Sequence, residues 1–368
     1  MHARGPAREA TAVSDDPRDA PPVAVLRPLA QVASRRGLAP LADKLGQLRE
    51  WLDDDLTTLE ASLQSLSLAQ ARGSGTEAAA RHLLGLPGKR IRPLCVLLAA
   101  RLGEARQADV RAIATACELV HAATLLHDDV VDHGPERRGA PAAHVLFGNS
   151  ASILAGDHLL VHAMSLVQQS GAPALLGPLL DVMRRMVEAE AMQLERRGSF
   201  VPSREAYLAV IRGKTAALFG WGLYAGACLA KLPPSDCRAF ERMGVHLGTA
   251  FQLVDDVLDL AGDPAATGKS ALQDVREGKL TWPLILAGER DASVLGDLER
   301  AAAADGALSR EATQDLLRRI EACRALADTR AFAKDEARLA SQVLASLPAG
   351  PAKDALALVV DAAVWRMH

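Results

Sequence analysis

The chain has 368 residues and a formal net charge of −3, and 49% of its residues are hydrophobic while only 3% are aromatic. The near-neutral charge gives no general reason to bind nucleic acid, and without a run of 18 or more uncharged apolar residues no membrane-spanning segment is predicted. A core built mostly from Ala, Leu and Val is typical of packed helices, so we predict an all-α protein.

Five cysteines are scattered along the chain and never form a CxxC pair. They are Cys95, Cys117, Cys228, Cys237 and Cys323. An odd number without close spacing predicts reduced thiols in a cytoplasmic protein, with neither disulfides nor structural zinc.

Residues 1–40 are rich in Ala, Arg, Pro and Asp and show no sustained apolar period. We predict a disordered N-terminal extension, with a short helix over residues 28–35. Three aspartates at positions 15, 16 and 19 count against a transit peptide, because such peptides are poor in acids. One large helical domain is predicted from residue 41 to residue 368.

The first predicted helix covers residues 41–66, where leucines recur on one helical face. Its acidic triplet Asp53–Asp55 has no basic motif after it, so we predict a solvated face. Further helices are predicted over 77–86, 91–102, 150–169, 175–197, 203–229 and 235–260, and helical packing over 280–368. Within the fourth of these, Glu190 and Gln193 either approach a cavity or are solvated.

An acidic motif, Asp128-Asp129-Val130-Val131-Asp132, directly follows an apolar run. Asp128 and Asp132 are four residues apart and therefore share one helical face. Their carboxylates repel each other there by about a few tenths of a kcal/mol, and a cation between them removes this cost. Carboxylate oxygens, with phosphate oxygens completing the shell, are typical of a Mg²⁺ site.

The same spacing recurs in Asp255-Asp256-Val257-Leu258-Asp259, again after an apolar run. Basic residues follow both motifs: Arg137 and Arg138 after the first, and Lys269 and Lys279 after the second. Carboxylates that hold metal ions beside cations that bind phosphate oxygens are suited to a metal-bridged diphosphate. We therefore predict that the two motifs form opposite walls of one cavity.

These two motifs and five others, in the same order, resemble those of the trans-polyprenyl diphosphate synthases, from about residue 41 to the C-terminus. The five others are Gly88-Lys89-Arg90-Ile91-Arg92-Pro93, Arg137-Arg138-Gly139, Gly156–Leu160, Lys214-Thr215, and Gly268-Lys269 with the box Asp274–Lys279. The resemblance implies a single bundle of the isoprenoid synthase type with a central cavity, and a homodimer. It also implies Mg²⁺-dependent condensation of isopentenyl diphosphate with an allylic diphosphate such as geranyl or farnesyl diphosphate.

The same resemblance implies a role for each of several residues in the site. Three Mg²⁺ ions would be held by Asp128, Asp132, Asp255 and Asp259. The diphosphate of isopentenyl diphosphate would be bound by Lys89, Arg92, His121 and Arg138. The allylic diphosphate would be bound by Arg137, Lys214, Thr215, Gln252, Lys269 and Lys279. Thr215 and Gln252 would also steady the allylic cation, and no side-chain nucleophile is needed.

Product length depends, in this family, on whether bulky residues stand four and five positions before the first aspartate. Here these positions are Thr124 and Ala123, both small, and the acidic motif is not widened. Both features favour an all-trans product of roughly heptaprenyl to decaprenyl size, as used for quinone side chains. Leu160 and Met164 are candidates for closing the cavity.

Three alternatives remain open. A geranylgeranyl diphosphate synthase would share the chemistry and close its cavity with another residue. A terpene cyclase would share the fold, but it usually lacks the second acidic motif and the Gly88–Pro93 box. A non-catalytic subunit of a heteromeric synthase would have degraded acidic motifs, whereas both are complete here.

Overall fold

The computed structural model describes residues 39–66, 73–261, 272–303 and 310–365. Over these residues the chain is helical apart from one hairpin of two short strands, so the predicted all-α fold is confirmed. The predicted N-terminal extension, except its last two residues, and Lys269 lie outside the described residues.

The helices follow one another in chain order with short connections. They are α1 (Ala39–Trp51), α2 (Asp53–Gln64), α3 (Gly75–Gly85), α4 (Ile91–Ala100), α5 (Gln107–Val131), α6 (Ala143–Phe147), α7 (Asn149–Gln169), α8 (Leu176–Glu195), α9 (Arg204–Ile211), α10 (Ala217–Leu229), α11 (Pro234–Ala261), α12 (Gln273–Arg276), α13 (Trp282–Arg290), α14 (Ala292–Ala303), α15 (Arg310–Ala322), α16 (Ala325–Ala345) and α17 (Pro351–Trp365). A 3₁₀ turn (Pro173–Leu175) precedes α8, and a π-segment (Arg212–Ala216) joins α9 to α10.

Two long helices, α5 and α11, organise the bundle. α5 packs mainly on α7 and α4, and α11 packs mainly on α10 and α16. Each ends inside or just after one acidic motif, at Val131 and at Ala261. The C-terminal end of a helix carries partial negative charge, so clustered carboxylates are unfavourable there unless cations lie close to them.

The predicted helix over residues 41–66 is divided at Leu52 into α1 and α2. The buried leucines there are Leu48, Leu52, Leu56, Leu59, Leu63 and Leu66. The expectation of a solvated acidic triplet is wrong for one member. Asp55 is only 8% exposed, because its carboxylate pairs with Arg101 at the end of α4. The helix predicted over residues 235–260 begins one residue earlier, at Pro234, a residue that is favoured in the first turn of a helix.

The predicted helix over residues 203–229 is interrupted by the π-segment, in which Ala217 N donates to Arg212 O. Gly213 lies in this segment, and a Cβ at this position would be 2.6 Å from Ala189 Cβ of α8. Glycine therefore permits close contact with α8 where function overrides regular helical geometry. Lys214 and Thr215 occupy the same segment.

The segment after the first acidic motif forms a hairpin, β1 (Glu136–Arg137) antiparallel to β2 (Ala140–Pro141), followed by α6. The His82 ring Nε2 lies 2.8 Å from Pro141 O and ties this hairpin to α3. Arg137 and Arg138 are thereby fixed next to the C-terminal end of α5.

One described helix, α7, has the length and apolar composition of a membrane-crossing helix. A buried core helix can pass the same test, so this is weak support for a membrane span.

Candidate active site

A cavity of about 560 Å³ lies at the C-terminal end of α5 and reaches both acidic motifs. Eleven of the predicted site residues line it: Lys89, Arg92, His121, Thr124, Asp128, Arg137, Arg138, Lys214, Thr215, Gln252 and Asp255. A smaller adjoining cavity of about 180 Å³ is lined by Lys279 and shares Lys214, Thr215 and Gln252 with the first. Ala123 is fully buried in the core instead.

Asp128 shares one cation with a second carboxylate. Lys214 Nζ lies 3.3 Å from Asp128 Oδ2 and also pairs with Glu190 of α8. Burial raises the pKa of Asp128, and Lys214 opposes this shift. Glu190 was expected either to approach a cavity or to be solvated, and the structure places it in the lining of this cavity. Two carboxylates against one ammonium leave an excess of negative charge at this wall.

Asp132 lies between two cations. Lys279 Nζ is 2.8 Å from Asp132 Oδ2, and Arg197 pairs with Oδ1 while its Nη1 donates to Val131 O at 3.0 Å. Burial opposes ionisation, but Lys279 and Arg197 lower the pKa of Asp132. Gly198 N donates to Gly278 O at 2.9 Å, which joins the end of α8 to the segment that carries Lys279. Arg197 was not predicted from the sequence.

The three aspartates of the second motif differ in their surroundings. Asp255 lines the cavity. Asp256 is buried and accepts hydrogen bonds from the Tyr207 hydroxyl and from Trp282 N at 3.3 Å, and burial raises the pKa of Asp256 to about 7. Asp259 accepts two backbone N–H groups in the first turn of α12, from Gln273 at 3.2 Å and Asp274 at 3.4 Å. Asp259 thus fixes α12, which precedes Lys279.

Gln252 is held in one amide orientation. Its Nε2 donates to Asp256 Oδ1 at 3.0 Å, and its Oε1 accepts from the Thr215 hydroxyl at 3.0 Å. Because Asp256 accepts the amide hydrogens, the amide oxygen of Gln252 lies on the side of Thr215. These two oxygens lie together at the wall shared by the two cavities.

A basic pocket lies across the cavity. Arg92 Nη1 is 3.2 Å from His121 Nε2, and because a guanidinium only donates, His121 must accept and is neutral. Burial, followed by the neighbouring arginines, holds the pKa of His121 well below its usual value. The Arg92 guanidinium stacks over Phe219, and its buried Nε has no hydrogen-bond partner among the described residues. Lys89 Nζ lies 5.3 Å from the centre of the Phe251 ring.

Arg137 lines the cavity and is held by the middle aspartate of the first motif. Its Nε donates to Asp129 Oδ1 at 2.8 Å, and Asp129 is itself fully buried. In each motif, therefore, the middle aspartate holds another site residue: Asp129 holds Arg137, and Asp256 holds Gln252.

The carboxylates suit a metal that needs further ligands from its substrate. No group of three or more His, Cys, Asp or Glu side chains within the described ranges is arranged to enclose an ion. Mg²⁺ usually takes one or two carboxylates and completes its octahedral shell with water and substrate phosphate. Asp128, Asp132 and Asp255 fit this pattern, because they belong to two motifs and Lys214 and Lys279 lie beside the first of them.

Comparison with known proteins agrees with this chemistry. A sequence model of the family described as polyprenyl synthetase matches residues 75–316. The octaprenyl diphosphate synthase of Escherichia coli is 37% identical over 280 residues, covering 76% of this chain and 86% of that protein.

Two solved structures are similar over most of the chain. The polyprenyl synthase of Caulobacter crescentus, crystallised with calcium and isoprenyl diphosphate, has a TM-score of 0.78 and 36% identity, and the match covers 87% of this chain and 97% of that one. The geranylgeranyl pyrophosphate synthetase of Pyrococcus horikoshii has a TM-score of 0.80 and 27% identity, with coverage of 87% and 99%. The chain therefore belongs to the polyprenyl synthetase family and is a prenyltransferase.

Proposed function

We propose that this protein is a Mg²⁺-dependent synthase that adds isopentenyl diphosphate units to an allylic diphosphate and makes a long all-trans polyprenyl diphosphate. The observation that carries the proposal is the lining of the large cavity. It combines aspartates and cations with the small Thr124 and with apolar side chains, which are Leu125, Leu160, Met183, Met186, Val187 and Leu218.

The cavity offers two places for a diphosphate. Lys89, Arg92, His121 and Arg138 form a basic group of side chains in its lining, which suits the diphosphate of isopentenyl diphosphate, since that diphosphate does not leave. Asp128 and Asp255 line the same cavity, Lys214 pairs with Asp128, and Lys279, in the adjoining cavity, pairs with Asp132, which lines neither cavity. These side chains suit the allylic diphosphate, and Lys269 remains a predicted contact to it.

Ionisation of the allylic diphosphate breaks its C–O bond, and the electron pair leaves with the diphosphate. Three Mg²⁺ ions, when bound, neutralise charge on the leaving group. Lys214, Lys279 and Arg137 add fixed positive charge there. The oxygens of Thr215 and Gln252 face the resulting allylic cation, since their mutual hydrogen bond holds them at the cavity wall.

Condensation then needs no side-chain nucleophile. The double bond of isopentenyl diphosphate attacks the cation and forms the new C–C bond, and the departed diphosphate takes the proton that is lost. His121 and the guanidinium of Arg92, which contact each other, keep the second substrate oriented. Repetition of this cycle extends the chain along the apolar side chains of the cavity.

Product length is the point on which the geranylgeranyl alternative differs. The octaprenyl relative has higher identity to this chain, 37%, than the geranylgeranyl structure, 27%. The small Thr124 lies at the cavity wall. Leu160 also lines the cavity, whereas Met164 is absent from its lining, so Leu160 is the better candidate to limit length.

Mass spectrometry of the products tests this function. Purified protein would be given isopentenyl diphosphate, Mg²⁺ and either geranyl or farnesyl diphosphate. We expect a ladder that ends at roughly seven to ten isoprene units. A ladder that ends at four units would support the geranylgeranyl alternative, and a cyclic hydrocarbon or unconsumed isopentenyl diphosphate would contradict the synthase.

The protein acts as a homodimer through an apolar face on α6, α7 and α8. Exposed apolar side chains recur there: Val145, Leu146, Ile153, Leu154, Val161 and Leu180. Several exposed apolar side chains on neighbouring helices are typical of an interaction site. Light scattering should give twice the chain mass, and Leu154→Glu with Val161→Glu should give a monomer. Val201→Glu, at an exposed apolar position outside these helices, should remain dimeric; a monomeric wild type would contradict the dimer.

A further inference from the structure

Arg90 differs from its two basic neighbours because it is buried. Its side chain is 3% exposed and makes two ion pairs, with Glu60 Oε1 of α2 at 2.7 Å and with Glu118 Oε1 of α5 at 2.6 Å. Its Nη2 also donates to Leu84 O at the end of α3, at 3.1 Å. One guanidinium therefore joins three helices to the start of α4.

The backbone of Arg90 is unusual as well. Its φ is +45°, in the left-handed region, immediately before the first residue of α4. For a residue with a Cβ this conformation costs about 1–2 kcal/mol, so the surrounding contacts must stabilise it. Although burial opposes its charge, Glu118 and Glu60 raise the pKa of Arg90. The Arg90 guanidinium lies between Glu60 and Glu118, on the wall of the cavity that Lys89 and Arg92 also line.

Glu118 is placed to act on the basic pocket as a whole. It precedes His121 by three residues on α5, and His121 contacts Arg92. Its negative charge favours the charged forms of Arg92 and Arg138, whose pKa values burial lowers. A Cβ on Gly88 would lie 2.8 Å from Arg90 Nη1 and 2.9 Å from Arg138 Nη1, so glycine is what lets the two guanidiniums converge.

We propose that Arg90, clamped by Glu118 and Glu60, is a positioning residue for the diphosphate of isopentenyl diphosphate. It fixes the loop that carries Lys89 and Arg92 against the helix that carries His121. We assign it positioning rather than substrate contact, because four of its five N–H donors are taken by the two carboxylates and Leu84 O. This inference rests on the proposed function, because it concerns the second-substrate pocket of that reaction.

Steady-state kinetics of Arg90→Gln and Glu118→Gln test it, with direct binding of isopentenyl diphosphate measured by calorimetry. We expect KM for isopentenyl diphosphate to rise at least tenfold, because the donors of Lys89 and Arg92 lose their fixed geometry. KM for the allylic diphosphate and kcat at saturating isopentenyl diphosphate should stay within twofold. Arg90→Lys keeps the positive charge but loses the planar guanidinium with its several fixed N–H donors. It should therefore not restore the binding of isopentenyl diphosphate.

Arg101→Gln is the matched control. Arg101 lies at the other end of the same α4 and makes a comparable ion pair with Asp55 of α2, but it does not line the cavity. The Arg101→Gln substitution should lower the melting temperature of the protein and leave the KM values for both substrates unchanged. Glu60→Gln, which removes the more exposed partner, provides a milder variant if Arg90→Gln does not fold.

The inference is wrong if folded Arg90→Gln or Glu60→Gln binds isopentenyl diphosphate as the wild type does. It is also wrong if both KM values and kcat change together, since that result indicates a general loss of structure. A wild type that does not bind isopentenyl diphosphate at all overturns the proposed function, and this inference with it.

Discussion

Replacing Asp128 or Asp255 by alanine is expected to lower turnover by about a thousandfold or more, which corresponds to about 4 kcal/mol of transition-state stabilisation. The two residues lie on different long helices and line the same cavity. Neither substitution removes a buried apolar contact, and both relieve carboxylate repulsion at a helix end that is already negative. Catalysis should therefore fall while the fold is retained.

The measurement combines initial rates at saturating Mg²⁺ and substrates with far-ultraviolet circular dichroism. Asp54→Ala is the control, because Asp54 is an exposed member of an acidic triplet that does not reach the cavity. It should keep full turnover. Wild-type turnover in both Asp128→Ala and Asp255→Ala would contradict their assignment as metal ligands.

Introducing a bulky residue among the apolar side chains of the cavity should shorten the product. Thr124→Phe is expected to stop elongation at about three or four isoprene units, because Thr124 lines the cavity beside Leu125 and Leu160. Its hydroxyl donates only to His121 O within its own helix, at 2.8 Å. Filling this position therefore breaks no contact between helices.

Ala123 should not behave in the same way, although the sequence paired it with Thr124. It is 0% exposed in the core, so Ala123→Phe would overpack α5 and cost about 1–3 kcal/mol of stability.

Mass spectrometry of the Thr124→Phe products measures the change in chain length directly. Met164→Phe, on a neighbouring helix but outside the cavity lining, should leave product length unchanged. Full-length product from Thr124→Phe would place the growing chain elsewhere.

The sequence was sufficient for features that depend on local spacing. Apolar periodicity predicted most helices to within a few residues, and two repeated acidic motifs predicted carboxylates that meet at one cavity. The resemblance supplied Lys89, Arg92, His121 and Lys214, all of which line that cavity.

Features that depend on partners distant in the chain could not be predicted. Arg197 pairs with Asp132 across 65 positions, and Asp256 with Tyr207 across 49. Asp55 and Asp53 are alike in local sequence, and only the position of Arg101 decides which of them is buried. A single sequence contains no periodic signal for such pairs, because they arise from how helices pack.

The π-segment gives the helix from Arg204 to Leu229 one residue more than a regular helix of the same span would hold. Each residue turns a helix by about 100°. The extra residue therefore changes the direction of every side chain that follows it in the helix. Deleting any one residue of Arg212–Ala216 would restore an unbroken hydrogen-bond ladder. The same deletion would rotate the ammonium of Lys214 or the hydroxyl of Thr215 away from the reacting groups. Under the proposed function, backbone regularity and activity are therefore opposed here, and the length of this helix is constrained by chemistry as well as by folding.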